Sequence, residues 1–258
     1  MPVRTNYLLP FSLCLLAALA GTGARAADMR AARTPVLLEL FTSEGCSSCP
    51  PADTLLRELD QTQPAPSAEL IVLSEHVDYW NRLGWTDPYS SAAFSKRQQA
   101  YAERFGSEDV YTPQLIIDGA KVAPPANRAA VLNAIEQEVS SPKIPIQVTA
   151  SGGEMVNRFH IGIAPSSVRF KTATLYMDIA LRKAQSHVAD GENAGRVLEH
   201  TSVAGPLEKI AHLRSGQSFE KEIKVDASSG PEKRVILFLQ DDSTGHILGV
   251  AELPASKF

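Results

Sequence analysis

The chain has 258 residues, 44% of them hydrophobic and 21% charged, with a formal net charge of −4. That composition is ordinary for a soluble globular protein and excludes a disordered chain. The mild acidity argues against nucleic acid as a partner, and the length favours two modest domains.

The N-terminus reads as an address. Arg4 gives a positive start, residues 7–20 are almost wholly apolar, and Ala24-Arg25-Ala26 forms a small-residue cleavage signature. Residues 1–26 are therefore expected to be a secretory signal peptide, too short for a spanning helix with proper flanks. Its removal takes away Arg4, Arg25 and Cys14 and leaves 23 basic residues against 29 acidic ones, a net charge of −6. No stable membrane anchor is expected after cleavage. The expected location is periplasmic or secreted, where disulfides persist. Cys46 and Cys49 are then the only cysteines of the mature chain.

A first domain is expected over 36–142. Residues 36–41 form an apolar run that reads as a buried strand, followed by Cys46-Ser47-Ser48-Cys49-Pro50-Pro51 and a helical pattern with Leu55, Leu56 and Leu59 on one face. Residues 69–74 read as a second strand, apolar enough to be covered on both faces. A loop over 76–88 carries both tryptophans, a helix is expected over 90–105, and Gly106 closes it. Pro113 stands at the start of a β-branched strand, since it lacks the N–H a strand interior needs. Asp118-Gly119 reads as a hairpin turn, and a helix over 127–139 places Val131, Ile135 and Val139 on one face.

Two cysteines separated by two residues, between a strand and a helix, form a redox motif. A loop closed over two residues constrains the unfolded chain little, so structural stapling explains the pair poorly. Pro50 and Pro51 are tolerated only in a first helical turn. That places Ser47 or Ser48 at the N-cap and Cys46 just ahead of the helix. A helix dipole supplies about 0.3–1 kcal/mol and fades within a turn. Cys46 is therefore expected to be moderately reactive rather than an extreme oxidant.

The order strand, helix, strand, helix, strand, strand, helix, with the cysteine pair after the first strand and Thr112-Pro113 ahead of the third, resembles the thioredoxin superfamily. Within it, the chain resembles a family of secreted proteins of unknown function that join a thioredoxin-like domain to a C-terminal β domain. The closer resemblance rests on residues 39–53, on His76-Val77-Asp78-Tyr79-Trp80, on Tyr111-Thr112-Pro113-Gln114, and on Gly191-Glu192-Asn193-Ala194-Gly195-Arg196. The superfamily resemblance implies that Cys46 attacks a disulfide and Cys49 resolves the mixed disulfide. It implies a cis Thr112–Pro113 bond that faces the pair and binds substrate backbone. It also suggests Glu39 as a buried acid for proton transfer, although its spacing to Cys46 is one residue longer than in thioredoxins. A protein or small-molecule thiol or disulfide is the implied partner, and no cofactor is implied beyond the redox-active Cys46–Cys49 pair.

The loop over 76–87 leaves the carboxyl end of the second strand, the edge where open α/β sheets bind ligands. His76, Asp78, Tyr79 and Trp80, with Trp85 and Asp87, are either a substrate wall beside Cys46 or an aromatic plug in which His76 bonds Asp78. Two thiolates with His76 are also a conceivable copper or zinc set, but ligand count argues against a metal. Asp190-Gly191-Glu192-Asn193 lacks calcium-loop spacing and reads as a solvated turn.

Beyond Pro142 the pattern alternates, as at Ile144, Ile146 and Val148 and at Phe159, Ile161 and Ile163, with a turn at 151–153 and a hairpin at 241–245. The expected second domain, 143–258, is a β-sandwich. The fold class is thus expected to be an α/β thioredoxin-like domain followed by an all-β sandwich domain. The expected function is thiol–disulfide oxidoreduction, with a non-enzymatic binding module holding a structural disulfide as the alternative.

Overall fold

Strand β1 (Thr34–Thr42) lies inside the fold and is buried from Val36 onward. Val36, Leu38 and Leu40 face α1 (Pro50–Thr62) and α3 (Arg128–Val139), packing with Leu55, Leu56, Leu59, Val131 and Ile135. Leu37 and Phe41 face the opposite side and meet Phe94 and Tyr101 of α2 (Ala92–Phe105). A strand covered on both faces must be apolar at consecutive positions, which is why its sequence does not alternate.

The structure is a computed structural model that describes residues 1–3, 33–107, 109–150, 158–225 and 232–253. Beyond its first three residues, the expected signal peptide lies outside the described residues, as does the turn at 151–153. Among the described residues no helix is long and apolar enough to cross a membrane. The elements belong to one compact unit, Ala32–Phe258.

β1 pairs in parallel with β2 (Ala68–His76), from Thr34↔Ala68 to Thr42↔His76. It pairs antiparallel with β3 (Gln114–Ile117), from Leu38↔Ile117 to Phe41↔Gln114. β4 (Lys121–Ala123) follows β3 through the expected hairpin, with positive φ at both Asp118 (51°) and Gly119 (64°), as a tight turn of this kind demands. A Cβ on Gly119 would lie 2.0 Å from the Gly245 carbonyl oxygen, so two turns meet there backbone to backbone.

The strands after β4 overturn the expected fold class. β7 (Thr172–His187), β8 (Val197–Val203), β9 (Glu208–Arg214), β11 (Lys233–Asp241) and β12 (Ile247–Glu252) do not close a separate sandwich. They join the first four strands in one nine-stranded mixed sheet, ordered β12-β11-β7-β8-β2-β1-β3-β4, with β9 also paired to β7. A smaller sheet of β5 (Gln147–Ala150), β6 (Arg158–Ile163) and β10 (Phe219–Lys224) packs against the C-terminal half. The protein is a mostly-β mixed sheet with three α-helices among the described residues.

Two features drive the change. β7 is 16 residues long, and its far end pairs with β8, which bridges to β2 at Ser74↔Val203. The open edge of β2, a site for stray strand pairing, is thereby engaged. β11 is also apolar at consecutive positions. Val235, Leu237 and Leu239 face the small sheet, while Ile236 and Phe238 join Leu37, Phe41 and Tyr101 in the core of the N-terminal half.

Candidate functional site

Cys46 and Cys49 form a disulfide with Cα atoms 5.4 Å apart, and both residues are fully buried. Cys49 is the N-cap of α1, with helical backbone angles and Pro50 and Pro51 in the first turn. Its carbonyl accepts hydrogen bonds from Ala52 N (2.8 Å) and Asp53 N (3.1 Å). The cap is therefore Cys49 rather than the expected Ser47 or Ser48. Cys46 stays three residues ahead of it, so the helix terminus acts more directly on Cys49. Ser48 Oγ lies 3.3 Å from Cys46 Sγ.

The loop carrying Cys46 is gripped from the C-terminal half. Asn193, only 1% exposed, donates through Nδ2 to the carbonyls of Glu44 (2.8 Å) and Cys46 (3.0 Å). Arg196 donates to Asn193 Oδ1 at 2.7 Å, and Glu192 accepts from Ser47 N at 3.1 Å. The stretch read as a solvated turn is thus the clamp on the disulfide loop. An Asn in a stretch with two glycines gives no signal of burial, since the same residues serve exposed turns equally well.

A buried polar cluster lies beside the disulfide loop and the first turn of α1. His76 Nδ1 and Asp87 Oδ2 are 2.7 Å apart, and the same oxygen accepts from Glu44 N at 2.8 Å. Glu44 accepts from Trp85 Nε1 at 2.8 Å and lies 3.1 Å from His200 Nε2. The His76 and His200 rings meet edge to face at 4.6 Å. Asp53 Oδ2 lies 4.0 Å from His200 Nδ1. His76 Nε2 and His200 Nδ1 are buried and have no hydrogen-bond partner among the described residues, while the Thr42 hydroxyl hydrogen-bonds the Asp53 carboxyl.

Burial raises the Asp53 carboxyl to about 6 against the attraction of His200. Burial also pushes Glu44 and Asp87 upward. In Glu44, the hydrogen bonds from His200, Ser186 and Trp85 outweigh it, and in Asp87 the contact with His76 and two backbone amides does so; both carboxyls end below their usual range. Two neighbouring clefts open on this region. One, of about 250 Å³, has Asp53 and Pro50 in its wall. The other, of about 430 Å³, has His200 in its wall. Arg57 and Glu199 border both.

The residues singled out from sequence divide between this region and the rest of the sheet end. His76 joins the cluster, bonded to Asp87 and not to Asp78. Asp78 instead pairs with Ser95 of α2 through its backbone N–H and its carboxylate. Tyr79 donates to Gln98 at 3.1 Å, and Trp80 Nε1 donates to Thr112 Oγ1 at 2.8 Å. A Cβ on Gly45 would lie 3.1 Å from Trp80 Cβ, so Trp80 connects the cysteine loop to Thr112. The Thr112–Pro113 bond is cis, and Pro113 precedes Gln114, the partner of Phe41 at the cysteine end of β1.

Glu39 is elsewhere. It faces α2, where Arg97 and Tyr101 both donate to it, so its carboxylate is engaged on the side of the sheet away from α1. The residues that sequence reasoning missed are Glu44, Asp53, Asn193 and His200. Asp53 carried one usable signal, being four residues after Cys49 on the same helix face.

Among the described residues, one group has donor atoms close enough to hold a cation: Asp118, Glu138 and His246. Lys143 Nζ already lies 2.6 Å from Asp118 Oδ2 and supplies positive charge there.

A family model described as a protein of unknown function (DUF1223) matches residues 37–240. A crystal structure of a protein from Agrobacterium tumefaciens is similar at 26% identity, covering 86% of this chain and 95% of that one, with a TM-score of 0.68. No curated protein matches the chain. The chain belongs to the DUF1223 family.

Proposed function

We propose that this DUF1223 protein is a thiol–disulfide exchange protein of an oxidising compartment, with Cys46 and Cys49 as the reacting pair. The observation that carries the reading is a disulfide closed over two residues at the first turn of α1, with a cluster of ionisable side chains buried next to it. So short a loop adds little stability, and buried titratable groups with displaced pKa values gather where protons move. The link from Thr112 through Trp80 to the cysteine loop supports a substrate-facing role for Thr112 and Pro113.

In the reduced protein, the Cys46 thiolate attacks a substrate disulfide and expels one substrate thiol. Cys49 then attacks Cys46 Sγ, closes the Cys46–Cys49 bond and expels the second. The net change is two electrons passed from the cysteine pair to the substrate, and the reverse sequence oxidises a dithiol. Cys46 rather than Cys49 is assigned the attack on the thioredoxin resemblance, and Ser48 Oγ, 3.3 Å from Cys46 Sγ, is placed to hydrogen-bond its thiolate.

A second reading is favoured by the complete burial of both cysteines and by the grip of Asn193. In it the disulfide is structural and the protein is a binding module. The reduction potential of Cys46–Cys49, measured against glutathione with Cys46→Ser as control, separates the two. Exchange activity with a potential above about −300 mV supports the redox role. A lower potential with no exchange supports the structural one.

A further inference from the structure

We propose that Asp53, assisted by His200, accepts the proton of the Cys49 thiol when Cys49 resolves the mixed disulfide. This deepens the exchange reading above and rests on it. A thiol must lose its proton before it can attack, and Cys49, fully buried, has to pass that proton to a nearby acceptor.

Asp53 is placed for that task. Helical geometry begins at Cys49, whose carbonyl accepts from Asp53 N at 3.1 Å. The two side chains therefore sit one turn apart on one face, with Cβ atoms about 5–6 Å apart, within reach of one bridging water. Asp53 is 5% exposed, and its carboxyl takes a hydrogen bond from the Thr42 hydroxyl. A buried carboxylate with so few donors is costly as a structural device, and its remaining lone pairs are open to a proton. His200 stands 4.0 Å away with Nδ1 unpartnered among the described residues and Nε2 next to Glu44.

The proton also has an exit. Asp53 and His200 line the two clefts that share Arg57 and Glu199. In the resolving step the Cys49 S–H bond breaks and its proton goes to the Asp53 carboxylate. The thiolate attacks Cys46 Sγ, the Cys46–Cys49 bond forms, and the bond from Cys46 to the substrate sulfur breaks. The substrate leaves as a thiolate and takes a proton from solvent, while Asp53 returns its own proton to solvent through the cleft. With its carboxyl near 6, Asp53 is mostly ionised at pH 7 and closer to a thiol in basicity than an ordinary carboxylate.

The groups bearing on its titration are His200 on β8, the Thr42 hydroxyl at the end of β1, Asp87 on the 77–91 connection and Glu44 on the cysteine loop, with His76 on β2 behind His200 and Arg57 and Glu199 at the cleft wall.

Stopped-flow mixing of the pre-reduced full chain with dithiobis(nitrobenzoate) tests the assignment. Attack by Cys46 releases one nitrothiobenzoate, and resolution by Cys49 releases a second. Asp53→Asn is expected to leave the first phase unchanged and to slow the second about tenfold or more at pH 7. The gap should close above about pH 9, where the thiol ionises unaided, and Asp53→Glu should recover part of the rate. In the wild type the second phase should fall as pH drops through about 6. His200→Gln, which removes the attraction that lowers the Asp53 carboxyl, should move that midpoint upward. A wild-type second phase in Asp53→Asn, or equal slowing of both phases, overturns the assignment. If Asp53→Asn does not fold by circular dichroism, an unmoved midpoint in His200→Gln overturns it instead. A wild type that releases no nitrothiobenzoate in either phase fails differently, because it removes the exchange reading itself.

Discussion

Arg97 is a single cation among three buried carboxylates. It donates to Glu39, lies 3.4 Å from Glu75 Oε1, and stacks over the rings of Tyr101, Tyr176 and Phe238. Glu75 is fully buried beside Glu39, and burial drives its carboxyl well above the usual range. Burial likewise carries Asp178 up to about 7, against a hydrogen bond from Gly205 N and the attraction of Arg97. An unfolded aspartate ionises at about 3.9. Between that value and about 7 the native protein holds a proton that the unfolded chain has lost, so stability falls as pH rises across this window and stays low above it. Asp178→Asn keeps an acceptor for Gly205 N and has no charge to bury. It should raise the melting temperature at pH 8, by a free energy on the order of 1–3 kcal/mol, and have little effect near pH 4. Thermal melts across that range check it, and a pH-independent shift would sink the explanation. The sequence shows Glu39 as an acid in an apolar strand and no more. Its partner is 58 residues away on α2, and nothing local to either residue says that they meet.

At the level of elements, the cysteine motif was legible because its chemistry is local. A strand, two cysteines, two prolines and a helix occupy residues 34–62 without a break, and proline's missing N–H fixes where the helix starts. The clamp was not legible because it is contributed by the connection between β7 and β8, with Asn193 bonding a carbonyl 147 residues away. A buried amide that satisfies two loop carbonyls is worth about 1–3 kcal/mol when its removal leaves them unpaired. Asn193→Ala should therefore destabilise the protein by about that amount and loosen the cover over the disulfide. Reduction of Cys46–Cys49 by dithiothreitol should then run about tenfold faster, the factor that about 1.4 kcal/mol of lost closure allows. Arg196→Ala, which only frees Asn193 Oδ1, should have a smaller effect in the same direction. Unchanged reduction rates in both variants would show that the disulfide reacts without opening at this loop.

Across the whole molecule, the signal for a change of domain near residue 142 was a change of period, and period reports local exposure rather than which body a strand joins. The alternation at Ile144, Ile146 and Val148 is real, and those residues do face the small-sheet core. The consecutive run at 235–239 is a different kind of strand, since it is buried on both faces, like β1. Its even positions complete the core on the α2 side, where Ile236 and Phe238 lie with Leu37, Phe41, Ile71 and Tyr101. Ile247 N donates to Asp118 O at 2.7 Å, and Ala204 N donates to Ser74 O at 2.9 Å, so backbone bonds cross the same seam. A fragment ending at residue 142 would expose this apolar face and leave Arg97 without Gln240, Tyr176 or Phe238. Expressed alone, residues 33–142 should therefore fail to melt cooperatively, while the full chain should give one calorimetric transition. Phe238→Ala removes a fully buried ring from the shared core and should cost about 3–5 kcal/mol. Because the core is shared, that loss should lower the single transition as a unit. A scan that splits into two peaks, with only the later-sequence half destabilised, would show instead that the two halves fold separately despite their common sheet.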